Sequence, residues 1–203
     1  MDGGVGQVLD AAVDEGFLTV GAAADGWLHS VGFLAGTPLP AADQFAIDLG
    51  SGGGLPGLVL AVRTDCSWFL VDRGERRCRF LEWAVGVLDL VERVSVIHAD
   101  ATDVGRGELR GSAALVTARG FGPPGITAEC GAPLLADHGH LVVSEPPEDR
   151  SSRWPEGPLG RLGLVDAGTW EHEGAGFRAL RRDGHCDGRH PRAWRAIERR
   201  PLF

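Results

Sequence analysis

The chain has 203 residues and a mass of 21.5 kDa, enough for one domain with a real core, with or without a small helical extension. Hydrophobic residues make up 43% and charged residues 24%, and the mean hydropathy is −0.04, which excludes wholesale disorder. Twenty basic against twenty-eight acidic residues give a formal charge of −8, which disfavours a protein that simply coats nucleic acid or anionic lipid.

The N-terminus opens Met1-Asp2-Gly3-Gly4, without a basic stretch or an apolar core, so a secretory signal is not expected. Residues 5–15 carry Val5, Val8, Leu9, Ala12 and Val13 at helical spacing, with Gly16 as a stop. A second helix is predicted over residues 22–34, with Trp27, Leu28, Val31 and Leu34 on its inner side, broken by the Gly36–Pro40 stretch. Residues 1–40 are therefore expected to be a helical N-terminal extension and residues 41–203 a single domain.

Short apolar runs then alternate with helices. Strands are predicted over residues 44–49, 67–71, 94–98, 114–117 and 140–144, and helices over 58–63, 75–90 and 126–135. Residues 145–160, rich in Pro, Glu, Asp and Ser, read as a loop, and two weaker strands over 162–166 and 176–180 suggest a closing antiparallel hairpin. Strand–helix repetition at this spacing implies an α/β fold with a seven-stranded, mostly parallel sheet covered on both faces. The longest weakly polar run, residues 52–62, is too short to span a bilayer and contains Pro56.

Cysteines 66, 78, 130 and 186 form no close pair, which points to a reduced, cytoplasmic protein rather than a disulfide framework. Lys, Asn and Tyr are absent, a bias that reflects a GC-rich genome more than a function. Charge is uneven: residues 177–203 hold eight Arg against three acids, while the other 176 residues hold twelve Arg against twenty-five acids.

The chemistry-bearing segment is Asp48-Leu49-Gly50-Ser51-Gly52-Gly53-Gly54-Leu55-Pro56-Gly57, which follows a predicted strand and opens a helix. Glycines there let a ligand approach the backbone, and Pro56 suits a first helical turn. Asp72 ends the next strand, where an acid can take both hydroxyls of a ribose; it can equally cap the helix that follows. The ordered set points to a nucleotide-type ligand. A phosphate-cradling Walker lysine is impossible in a chain without Lys.

Residues 48–57, 70–81 (LVDRGERRCRFL), 117–121 (TARGF) and 189–202 (RHPRAWRAIERRPL) resemble the ribosomal RNA small subunit methyltransferase G family, also called glucose-inhibited division protein B. The resemblance runs from about Phe17 onward, and the Leu-Pro-Gly after the glycine turn is its most specific piece. It implies a Rossmann-like class I methyltransferase that uses S-adenosylmethionine to methylate N7 of a guanine in 16S rRNA, so that the partner is rRNA or the small ribosomal subunit. It further implies cofactor contacts at Gly50, Ser51, Gly52, Gly54, Leu55, Asp72, Ala101, Thr102 and Arg119, and substrate contacts at Arg119, His29 and Glu145. No metal is implied, and no catalytic base, since guanine N7 carries a lone pair and no proton.

The family's N-terminal asparagine is Phe17 here, its arginine-histidine…aspartate-serine stretch is Leu28-His29…Gly32-Phe33, and a lysine after strand five is Glu145. These positions flank the substrate pocket. A methyltransferase acting on a small molecule, and a non-catalytic S-adenosylmethionine-binding protein, therefore stand beside the rRNA reading. His138 and His140, and the His185, Cys186, Asp187, His190 group, are expected to be solvated or loop residues rather than metal ligands. Trp27, Trp68 and Trp83 are expected in the core; Trp154, Trp170 and Trp194 lie in polar contexts, where one can line a pocket. The tail arginines Arg189, Arg192, Arg195, Arg199 and Arg200 fit either RNA phosphates or a solvated face.

Overall fold

A computed structural model describes residues 3–146 and 153–203. Three helices come first: α1 (Gly3–Asp14), α2 (Val20–Ala24) and α3 (Gly26–Gly32). Helix α1 buries Val5, Val8, Leu9 and Ala12, as its periodicity requires. The single helix expected over residues 22–34 is instead two, because the chain turns at Asp25 to bring α3 onto Leu55. A Cβ at Gly26 would sit 2.6 Å from Leu55 Cδ1. The inner face of α3 is accordingly Gly26, Ser30 and Gly32, and Leu28, expected to face inward, is 50% exposed.

The rest is strand–helix alternation: β1 (Phe45–Leu49), α4 (Gly57–Arg63), β2 (Ser67–Asp72), α5 (Glu75–Val87), β3 (Val94–His98), α6 (Ala101–Val104), β4 (Ala113–Ala118), α7 (Pro124–Gly131), β5 (Leu135–Glu145), α8 (Glu156–Arg161), β6 (Leu164–His172), β7 (Ala175–Arg182) and α9 (Trp194–Arg199). One seven-stranded sheet has the order β3-β2-β1-β4-β5-β7-β6. The first five strands are parallel, and β7 runs antiparallel between β5 and β6. Successive β1 residues serve opposite faces. Ile47 and Leu49 join the core under α7, and Ala46 joins the core with Trp68, Phe80 and Leu81.

Three expectations need correction. Trp83 is 43% exposed, because Phe80, Leu81, Ala84 and Val85 already fill the inner face of α5. The helix expected to reach residue 135 stops at Gly131; Ala132–Leu134 form a tight turn containing Pro133, and β5 begins at Leu135 rather than at 140. Of the loop expected over residues 145–160, residues 147–152 lie outside the described residues, and Glu156–Arg161 form α8, which buries Leu159. All four cysteines are free and buried. Among the described residues no helix is long and apolar enough to cross a membrane.

The register brings Leu49, Val71 and Ala118 level with one another, and Asp72 level with His98. The carboxyl ends of β1–β4 thus form one rim. Chain order reverses between β1 and β4, and open α/β sheets bind ligands in the crevice outside such a reversal.

Candidate active site

At this rim the backbone does most of the building. Gly50 N and Ser51 N both donate to Val71 O, at 2.8 and 3.1 Å, which folds the glycine turn over the end of β2. Gly50 has φ +70°, and a Cβ there would meet Phe121 at 2.9 Å, so only glycine fits. Asp72, 4% exposed, accepts from Gly52 N at 2.9 Å through Oδ2 and from Gly74 N at 2.8 Å through Oδ1. It thus ties the glycine turn to Gly74, the residue before α5, but it does not cap that helix, whose N-cap carries no side-chain hydrogen bond. Each oxygen keeps a further lone pair for a ligand hydroxyl.

A cleft enclosing ≈ 180 Å³ opens here, lined by Gly50, Asp72, Ala101, Gly120, Phe121 and Trp194 among others. Of the expected cofactor residues, Gly50, Asp72 and Ala101 line it. Ser51, Gly52, Gly54, Leu55 and Thr102 stand outside the lining and support it. Ser51 Oγ donates to Asp48 O at 3.0 Å, Gly52 holds Asp72, and Leu55 packs with Val5, Leu9 and Val59. Thr102 is turned onto Asp100, whose Oδ1 accepts from Thr102 N at 2.8 Å and from its Oγ1 at 2.7 Å. Sequence reasoning missed Arg73 and Asp100, which also line the cleft. The signal for Asp100 was present as an Asp two residues before a Thr at a helix start.

A second cavity of ≈ 300 Å³ adjoins the first and shares Gly120 and Phe121 with it. His29, Thr127, Ser144, Glu145, Arg153 and Trp154 complete its walls. His29 packs against Phe33 and Phe177, at ring distances of 5.9 and 5.3 Å, and its buried Nε2 has no hydrogen-bond partner. Burial, with help from the Arg119 charge, lowers its pKa to about 4, so the ring is neutral at physiological pH. The Glu145 carboxylate accepts from Arg153 and from Trp154 Nε1, with Arg178 Nε 3.4 Å away. Its oxygens are therefore engaged in building the wall.

Arg119 follows β4, half-buried; it lines neither cavity and makes no hydrogen bond or ion pair among the described residues. Burial lowers its pKa, and the charges of Asp48 and Asp25 oppose that shift. Asp48, fully buried, accepts from Thr117 Oγ1 at 2.7 Å through Oδ1, and burial raises its pKa to about 6. His138 is exposed, Trp154 lines the second cavity, and Trp170 stacks on Phe177 at 5.8 Å. His190 is buried against Glu129, and among the described residues no group of three or more His, Cys, Asp or Glu is placed to hold a metal ion.

The family model described as rRNA small subunit methyltransferase G matches residues 32–146. The chain is 46% identical over 98 residues to a ribosomal RNA small subunit methyltransferase G of Kineococcus radiotolerans, covering 48% of this chain and 37% of that protein. It is 35% identical over 122 residues to that of Frankia alni, covering 55% and 46%. The matched stretches thus span less than half the length of these curated relatives. Among solved structures, a Corynebacterium glutamicum protein superposes with a TM-score of 0.64 at 17% identity, covering 91% of this chain and 92% of the other. A geranyl diphosphate C-methyltransferase of Streptomyces coelicolor, in complex with Mg2+, geranyl diphosphate and S-adenosyl-L-homocysteine, superposes at 0.58 with 10% identity, covering 75% and 79%. Such low identities establish the class I methyltransferase fold and nothing further.

Proposed function

The chain belongs to the rRNA small subunit methyltransferase G family, and on that premise we propose that it is an S-adenosylmethionine-dependent methyltransferase acting on a guanine N7 of small-subunit rRNA. The observation that carries the reading is the pair of adjoining cavities, one on either side of Gly120 and Phe121, at the reversal point of the sheet. One fits a nucleoside cofactor and the other a base to be methylated.

The residues of the first cleft suit the cofactor. Asp72 has lone pairs left for a ribose, Gly50 removes the side chain that would block approach, and Ala101 leaves a small apolar wall for a purine. When bound, S-adenosylmethionine supplies a methyl group already activated on a sulfonium. The chain's own work is to hold the acceptor in line with that methyl, which supplies most of the acceleration in a displacement of this kind. Phe121, shared by both cavities, sets the distance between the two ligands. Arg119, a desolvated guanidinium one residue before the shared Gly120 and with its donors unspent among the described residues, binds an anionic group, a cofactor carboxylate or an RNA phosphate. Neutral His29 offers its unpartnered Nε2 to the edge of the acceptor. No proton needs removal from N7, so no general base is assigned.

The second reading, a small-molecule acceptor, is favoured by the walls of the second cavity, where Glu145, Arg153 and Trp154 are bonded to one another. One experiment separates them. Small ribosomal subunits from a strain lacking the gene are incubated with the protein and methyl-labelled S-adenosylmethionine, and the rRNA is mapped by mass. Label on a guanine N7 supports the proposal. Cofactor binding without label in rRNA moves the acceptor to the small-molecule class.

A further inference from the structure

The arginine-rich segment after β7 is not a loose tail. Glu129 of α7, fully buried, accepts from His190 Nδ1 at 2.9 Å, Arg192 N at 3.0 Å, Arg192 Nε at 2.8 Å and Arg192 Nη2 at 2.6 Å. Burial pushes this carboxyl's pKa up, but hydrogen bonds from Arg192 and His190 outweigh it and hold it below the usual range. From the other side, Arg110 Nη1 donates to His190 O at 2.6 Å, Arg110 Nη2 to Cys186 O and Asp187 O, and Arg106 Nε to Pro191 O at 3.1 Å. Gly105 lets Pro191 close in: a Cβ there would lie 2.9 Å from Pro191 Cγ. These bonds fix residues 186–192 beside the end of α6, and the next residues carry Trp194 to the mouth of the first cleft. There its ring edge meets Phe121, with centroids 6.1 Å apart at 80°, and the exposed Arg73 guanidinium lies over the ring, 5.2 Å from its centroid.

Resting on the cofactor reading above, we propose that Trp194 is a cofactor-binding residue, an indole held across the cleft by the Glu129–Arg192 clip so that its face stacks on the purine of the bound nucleoside. The chemistry favours this assignment. A π face that attracts a guanidinium also accepts a planar base, and Arg73 is solvent-exposed and free to yield the position. Ala99, Asp100 and Ala101 line the same cleft and offer no aromatic alternative, while Phe121 is shared with the second cavity. Arg192, one of the tail arginines that on sequence fit either RNA phosphates or a solvated face, is instead spent on the clip.

Isothermal titration with S-adenosylmethionine and S-adenosylhomocysteine tests the proposal on Trp194→Ala, Trp194→Leu and Trp194→Phe. Base–aromatic stacking predicts that Ala and Leu weaken both ligands about 10- to 100-fold, while Phe stays within about fivefold of the wild type. The Leu variant fills the space without a π face, so loss in Leu with retention in Phe assigns stacking rather than bulk, even if the Ala variant fails to fold. Wild-type-like affinity in the Leu variant overturns the proposal and leaves the cofactor reading intact. A wild type that binds neither ligand overturns the cofactor reading itself, and this assignment with it.

Discussion

The two adjoining cavities are built in different ways. The first is framed by short-range structure, a glycine turn, an acid ending β2 and an aspartate capping α6, and Trp194 reaches it from the distant closing arm. The second gathers His29, Phe121 and the Glu145, Arg153, Trp154 group from three distant stretches of chain. The first cavity is therefore expected to be rigid and tolerant of surface change. The second is expected to alter its fit with single substitutions while the fold stands.

The largest effect is expected at the clip that joins the closing arm to the first cavity. Glu129→Ala leaves His190 and Arg192 facing a buried gap, and removing one partner of such a pair costs about 3 kcal/mol. Urea melts should show that loss, and cofactor titration should show a weakened site as Trp194 is released. Next in size, Asp72→Asn removes a charged acceptor from two backbone N–H groups, worth about 2 kcal/mol. Cofactor affinity should fall at least about tenfold by titration; an unchanged affinity would remove Asp72 from the site. Smaller again, Trp154→Phe deletes the Nε1 bond to Glu145 and should cost about 1 kcal/mol in stability. Its mark is selectivity of effect: acceptor turnover changes and cofactor affinity does not. A drop in both would erase the distinction between the two cavities.

The same division governs what could be read from residues alone. The strand that ends at Asp72, the glycine turn and the closing hairpin were legible, because periodicity and turn chemistry act locally. So was the α/β order of the sheet, which strand–helix alternation nearly dictates. Leu55 was grouped with ligand contacts through the family resemblance; its packing with α1 and α3 was not legible from the turn itself. Glu145 stood out as a charge in a substrate position, yet its partners Arg153 and Trp154 lie eight and nine residues on, across a segment without a legible pattern. Trp194 is the sharpest case. Its polar neighbours marked it only as one of three tryptophans that can line a pocket, and nothing in its own sequence records that Glu129, 65 positions earlier, would hold the arm in place.

The smallest expected effect, a pH dependence, sharpens the comparison, since each region contains a buried titrating group and the two have opposite signs. His29, on the acceptor side, falls from 6.5 to about 4, chiefly by burial. Between those values the unfolded chain binds a proton that the native ring refuses, so this group's contribution to stability is intact above pH 6.5 and is lost as pH falls toward 4. Asp48, behind the glycine turn, rises from 3.8 to about 6, again chiefly by burial. The native carboxyl keeps its proton longer than the unfolded one, so its contribution is present at pH 3.8 and is lost as pH rises toward 6. Over pH 4–6 the two slopes oppose each other, and the wild type should melt at a nearly constant temperature as far as these groups decide it. His29→Leu removes one slope, and its melting temperature should rise relative to wild type as pH falls from 6.5 to 4. Asp48→Asn removes the other, and should gain on wild type as pH rises from 4 to 6. The His29 effect should be the weaker, because the ring is only half-buried and solvent screens its charge. Thermal melts of the three proteins at half-unit pH steps decide it: parallel curves for wild type and His29→Leu would mean that the imidazole is solvated, and that the acceptor cavity lacks the neutral hydrogen-bonding group assigned to it.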